Sequence, residues 1–127
     1  MAKVLGIGGV FFKAKDPTAL MNWYRDVVGL QVHDWGGVFI TPEAMAAHPG
    51  AGTVFSPFKA DTDYFAPSTK EFMINLAVDD LDGILENCAK HGVTPVKTFP
   101  DEANGRFAHI MDPEGNKIEL WQPMPMA

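Results

Sequence analysis

No run of apolar residues in this sequence approaches the roughly 18 that a membrane-spanning helix needs. Cysteine occurs once, as Cys88, which excludes an internal disulfide and fits a reducing compartment, the cytoplasm by default. The opening Met1-Ala2-Lys3-Val4 has no apolar signal core and no small-residue cleavage site, so no secretory leader is expected. Positive charge is scarce: ten Lys and Arg stand against sixteen Asp and Glu, a formal net charge of −6. The basic residues are scattered singly, whereas binding a nucleic-acid backbone requires them clustered. No basic amphipathic helix is available for a membrane surface either. A small molecule or another protein chain remains as the partner. What is present, 46 % hydrophobic and 20 % charged residues in a chain of 127, reads as one globular domain.

Two successive segments share one pattern. A strand-like stretch over residues 4–15 leads to Asp16, a good helix N-cap, with Pro17 at the first helical position, where its missing N–H costs nothing. Leu20, Trp23, Tyr24 and Val27 then recur at helical spacing, and Gly29 is the natural stop. Short strands are expected over 30–34 and 37–41, a loop over 42–50, and a strand over 53–58. The pattern restarts with a strand over 72–78 and a cap at Asp79 or Asp80. A helix follows whose buried stripe is Leu81, Ile84, Leu85 and Cys88, and Gly92 ends it. Strands over 93–99, 106–111 and 116–122 close the chain, the last two joined by a type I turn at Asp112-Pro113-Glu114-Gly115.

The halves overlay at an offset of 63 residues: Gly29 falls on Gly92, Gly52 on Gly115, and Val54-Phe55-Ser56 on Lys117-Ile118-Glu119. This points to an internal duplication of a βαβββ unit, with module one over about 4–58, a linker over 59–70 and module two over about 71–123. The expected class is α+β: two modules whose curled, cup-shaped mixed sheets carry their helices on one face and enclose a ligand pocket with the other. The linker, with Asp61, Asp63 and Tyr64, is too polar for a core strand and suits a flap over the cup or a dimer contact.

The closing Asp112-Pro113-Glu114-Gly115-Asn116-Lys117-Ile118-Glu119-Leu120 resembles, residue for residue, the signature of the vicinal oxygen chelate superfamily, which includes glyoxalase I, bleomycin and fosfomycin resistance proteins and extradiol dioxygenases. Val78-Asp79-Asp80-Leu81-Asp82 and the opening Asp16-Pro17 with Trp23-Tyr24-Arg25 are similar to the same family. The resemblance implies the glyoxalase-like fold and a homodimer. In metal-dependent members it also implies His or Glu ligands on the first and last strands of each module. Mapped one at a time, those positions are Gly9, Met73, Ser56 and Glu119, so one carboxylate is retained. A catalytic site of this kind needs about three protein ligands with one position open, so no metal and no other cofactor is expected.

Glu119, flanked by Ile118 and Leu120, should point into the cup. Two roles are open to it: a general base of raised pKa or a ligand acceptor, and a relic neutralised by a nearby hydroxyl or lysine. His109, mid-strand between Ala108 and Ile110, is either a structural histidine or an acid/base partner of Glu119. Ser56 and Met73, at the mapped ligand positions, are expected to line the pocket. Trp121 is placed toward its rim and Trp35 beside Gly36-Gly37. Arg106 is a candidate for holding an anionic ligand, or is simply solvated. Tyr64 is a candidate ligand contact from the linker. Cys88 lies in a buried helix stripe without an activating histidine, which argues against a nucleophile.

Three functions fit. The first is a protein that binds a small, partly apolar organic molecule in a pocket with an incomplete metal site. The second is a metal-independent lyase or isomerase using Glu119 with His109. The third is a divalent-metal-dependent lyase or dioxygenase with atypical ligands.

Overall fold

The structure, a computed structural model, describes residues 2, 3, 5 and 7–125. Helix α1 spans Pro17–Trp23 and runs into one π turn, Tyr24–Val28. The Asp16 carboxylate accepts from the Ala19 N–H at its start, and Gly29 ends it in the left-handed region at φ 88°. A short helix α2 covers Pro42–Ala46.

From there the elements follow the order β1 (Ile74–Ala77), α3 (Leu81–Lys90), β2 (Lys97–Thr98), β3 (Gly105–Met111) and β4 (Lys117–Pro123). This is one complete βαβββ unit. Its strands form a single sheet in the order β1-β4-β3-β2, with β1 parallel to β4 and the other pairs antiparallel. Asp80 caps α3 by accepting from Gly83 N–H, and the Gln122 side chain accepts from Leu81 N–H, so two donors of the first turn are satisfied.

Helix α1 with its π turn and helix α3 serve one core. Leu20, Tyr24, Val27 and Val28 join Leu81 and Cys88 in a single cluster with Ala108, Ile110, Ile118 and Leu120 from β3 and β4. Alternation along the strands then turns Phe107, His109, Lys117, Glu119 and Trp121 to the opposite face.

The first half departs from expectation. The duplication predicts strands over 4–15, 30–34, 37–41 and 53–58, but among the described residues none is a strand, and there is one four-stranded sheet rather than two. Val4 and Gly6, at the start of the first of these segments, lie outside the described residues. The apolar residues that would have faced a core are exposed instead, with Phe11 at 94 % and Phe55 at 89 %. The physical reason is that a strand is stabilised by its neighbours rather than by its own alternation. Gly8-Gly9, Gly36-Gly37 and Gly52 also raise the entropic cost of extending these segments.

The α+β class and the open, curled sheet with helices on one face agree with a glyoxalase-like fold. No described helix is long and apolar enough to cross a membrane.

Candidate functional site

The register of the sheet lays four polar side chains in one row. Asn75 on β1 pairs with Glu119 on β4, Glu119 with His109 on β3, and His109 with Lys97 on β2. All four belong to the face away from the helices. Asn75 Nδ2 donates to Glu119 Oε1 at 2.8 Å, and His109 Nε2 lies 2.8 Å from Glu119 Oε2.

A third donor arrives from the linker. The Tyr64 hydroxyl donates to Glu119 Oε2 at 2.8 Å, across a separation of 55 residues. The linker is held there by Lys117, whose buried ammonium donates to the carbonyls of Tyr64 and Ala66 at 2.8 Å each. Burial and the nearby charge of Lys97 lower the Lys117 pKa, while Glu119 and Asp63 oppose that shift.

These contacts correct one expectation for Glu119, the raised pKa of a general base. Burial alone would raise its pKa, but hydrogen bonds from His109, Tyr64 and Asn75 outweigh burial and hold it below the usual carboxylate value. The group is an ionised acceptor rather than a strong general base. For Tyr64 the signs agree: burial and then the Glu119 carboxylate push its phenol well above the ordinary value, so it stays a protonated donor.

His109 is fully buried. An ionised Glu119 only accepts, so His109 Nε2 carries the proton in that contact. Nδ1 has no hydrogen-bond partner. Tyr64 and Phe99 stand edge-on to the imidazole, at centroid distances of 5.2 and 4.8 Å. Farther along the same face Phe107 and Trp121 stack at 6.2 Å with their planes 8° apart. The face therefore sets one carboxylate in a polar row bordered by aromatic rings, with the Lys97 and Lys117 ammonium groups close by.

The structure brings Glu119, His109 and Tyr64 into direct contact, with Trp121 on the same face and half-buried Met73 immediately before β1. Trp121 is buried, with its indole N–H donated to the Asn104 carbonyl, so it is part of the floor and not of a rim. Other candidates stand apart. Ser56 is exposed, on a segment that forms no strand. Trp35 is 70 % exposed and stacks on His33, lining with Leu30, Val38, Phe39 and Ile40 a separate cleft of about 830 Å³. Arg106 is on the helix side, in ion pairs with Asp82 and Asp101 at 2.9 and 3.2 Å, which corrects its expected place in the pocket.

Asn75, Lys97 and Lys117 are functional-face residues that the sequence pattern did not single out. Parity alone assigns Lys117 to the face of Glu119, two residues away. Asn75 carries the same signal, as a polar residue between Ile74 and Leu76. Lys97 depends on cross-strand register, which no local pattern reveals.

The donors present do not fit the metal of metal-dependent relatives. Glu119 and His109 are paired with each other, Gly9 and Met73 supply no ligand atom of the right kind, and Ser56 lies elsewhere. Among the described residues no three His, Cys, Asp or Glu side chains are grouped to hold an ion.

Comparison with known proteins places these features. A family model described as Glyoxalase-like domain matches residues 9–121. No curated protein matches the sequence. A solved protein of unknown function from Agrobacterium tumefaciens str. C58 shares 17 % identity, covering 95 % of this chain and 100 % of its own, with a TM-score of 0.50. TnmS3, an antibiotic-binding protein from Streptomyces sp. CB03234, shares 22 % identity over 83 % of this chain and 84 % of its own, at a TM-score of 0.48. A glyoxalase/bleomycin resistance protein/dioxygenase superfamily member from Sphaerobacter thermophilus DSM 20745 is 28 % identical, but over 39 % of this chain and 40 % of its own, at a TM-score of 0.35.

Proposed function

The chain belongs to the glyoxalase-like domain family, and from that premise we propose that it binds a small, partly apolar organic molecule on the sheet face centred on Glu119. The observation that carries this reading is an ionised carboxylate set among Phe99, Phe107, Trp121 and Tyr64. Such a carboxylate costs free energy unless donors surround it, and one of its three donors comes from a linker rather than from the sheet. A ligand hydroxyl or amine takes that donor's place. No metal step is involved, because the donor set does not fit one.

The test is calorimetry and thermal shift with a panel of small organic molecules against the wild-type protein and Glu119→Ala. Binding that weakens by about 1–3 kcal/mol in the variant supports the reading, as the cost of an unmet buried hydrogen bond. Ligands that bind equally to both proteins, or no ligand at millimolar concentration, overturn it.

A second reading has one observation in its favour, the buried His109 whose Nδ1 lacks a partner while Nε2 meets Glu119. In it the pair performs metal-independent lyase or isomerase chemistry, with His109 Nδ1 taking the proton. Turnover that disappears in Glu119→Gln while ligand affinity survives would favour this reading.

The proposal includes a homodimer in the cytoplasm. Leu5, Val10, Phe11, Phe39, Val54 and Phe55 are each exposed, and burying large apolar side chains of this kind is what favours association in water. A second copy supplies the same segments. Light scattering that reports a particle of one chain's 13.9 kDa at tens of micromolar would reject it.

A further inference from the structure

We infer that the ring of Tyr64 occupies the ligand position, and that the molecule this face takes is a hydroxyarene that binds by displacing it. This rests on the proposed function, that the Glu119 face is a small-molecule site, and names the chemical class it accepts.

Every part of a phenol is recognised here. The Tyr64 hydroxyl donates to Glu119 Oε2 at 2.8 Å. One face of its ring stacks on Phe58 at 5.5 Å, and its ring meets the His109 imidazole edge-on at 5.2 Å. The ammonium groups of Lys97 and Lys117 lie 5.9 and 5.6 Å from the ring centroid, within reach of a cation–π attraction.

The walls and the occupant come from different parts of the chain. His109, Glu119, Lys117 and Lys97 are on β3, β4 and β2, and their places are set by the ladder. Tyr64 is on a linker that is neither helix nor strand. Lifting the linker therefore leaves the sheet side of a phenol site in place, with Glu119, His109 and the lysines, and frees Phe58 and the Lys117 ammonium from their linker contacts. Aromatic surface continues beyond it, since Phe99 stands 4.8 Å from His109 and 6.4 Å from Phe107. A polycyclic hydroxyarene has room to extend along that floor.

The chemistry also selects against other classes. A plain arene leaves the Glu119 carboxylate short of a donor in a partly buried site, which is the kind of loss that discriminates strongly. A carboxylate placed at the hydroxyl position meets like charge. An aliphatic alcohol forgoes the cation–π and stacking contacts.

Because Tyr64 must leave first, the wild-type affinity is reduced by the fraction of molecules in which the linker is open. The full-length Tyr64→Ala protein removes the competitor and leaves the walls. The probe is 4-methylphenol, the tyrosine side chain as a free molecule, with toluene as the control lacking only the hydroxyl. Calorimetry and thermal shift should show 4-methylphenol binding Tyr64→Ala at least about tenfold more tightly than the wild type, the factor expected for losing one charge-assisted hydrogen bond from the competitor. It should also bind more tightly than toluene, and Tyr64→Ala/Glu119→Ala should lose that preference.

Equal binding of 4-methylphenol and toluene by folded Tyr64→Ala, or binding of neither, overturns the inference and assigns Tyr64 a purely structural part. Should Tyr64→Ala not fold, Tyr64→Phe decides the matter. It keeps the ring and loses the hydroxyl, so it should bind 4-methylphenol more tightly than the wild type, and unchanged affinity overturns the inference. A wild-type protein that binds a non-aromatic ligand through Glu119, beside a Tyr64→Ala protein indifferent to 4-methylphenol, rejects the hydroxyarene and leaves the small-molecule reading in place.

Discussion

The Tyr24 hydroxyl donates a buried 2.7 Å hydrogen bond to Asp112 Oδ2 across 88 residues of sequence. The same carboxylate accepts from the Asn116 side-chain amide and from the backbone N–H groups of Glu114 and Asn116. Two residues on, Glu114 accepts from the N–H groups of Lys15 and Asp16, just before α1. The Asp112–Asn116 turn is thus a clasp that fastens the first-half helix to the second-half sheet. Burial first, and then Asp112, raises the Tyr24 pKa, so the phenol remains a donor across the physiological range.

Tyr24→Phe should therefore destabilise the protein by about 1–3 kcal/mol, the cost of leaving the Asp112 acceptor short of a buried donor. Urea denaturation checks this: the midpoint falls while the m-value stays unchanged. An unaltered midpoint would show that the clasp holds without Tyr24.

Glu119 gives stability a pH dependence of known sign. Its folded-state pKa lies below the ordinary 4.5, so the unfolded chain binds the proton more readily than the folded one. The resulting stabilisation is present above that ordinary value and is lost as the pH falls through the lower folded value. Glu119→Gln should be less stable than the wild type at pH 7 by about 1.5–3 kcal/mol, the range for hydrogen bonds to a charged group. The difference should shrink on acidification below pH 4.5. Parallel stability curves for the two proteins from pH 7 to pH 3 would contradict this.

Lys117 anchors the linker through two carbonyls. Lys117→Met keeps the length and apolar character of the stem but removes both bonds. The amides of Tyr64, Ala66 and Ser68, which are hydrogen-bonded within the linker, should then exchange with solvent at least about tenfold faster, while those of β3 and β4 keep their protection. Unchanged exchange in the linker would mean that Tyr64 and Glu119 hold it unaided.

Cys88 is fully buried and its thiol pKa is raised by burial. A thiol-specific disulfide reagent should therefore leave the native protein unmodified and react with one thiol per chain in denaturant. Prompt modification without denaturant would place Cys88 at the surface.

Much of the second half was legible in local pattern. Leu81, Ile84, Leu85 and Cys88 recur at helical spacing between an Asp cap and Gly92, and α3 forms there. Alternation in Lys117-Ile118-Glu119-Leu120-Trp121 sorts Ile118 and Leu120 to the core and the other three to the opposite face. The same reasoning over 53–58 predicted a strand that does not form, since no neighbouring segment pairs with it. Arg106 misled for a related reason: alternation puts it on the helix side, where Asp82 at the start of α3 meets it.

By itself, then, the sequence determined the βαβββ order of residues 74–123 and the face on which Glu119 stands, because helical and strand periods are properties of adjacent residues. The tertiary structure decided what Glu119 is. Its protonation depends on a contest between burial, which favours the neutral acid, and donors brought by Asn75, His109 and Tyr64 from β1, β3 and the linker. No local pattern reveals that contest, because its terms come from segments that meet only when the chain has folded.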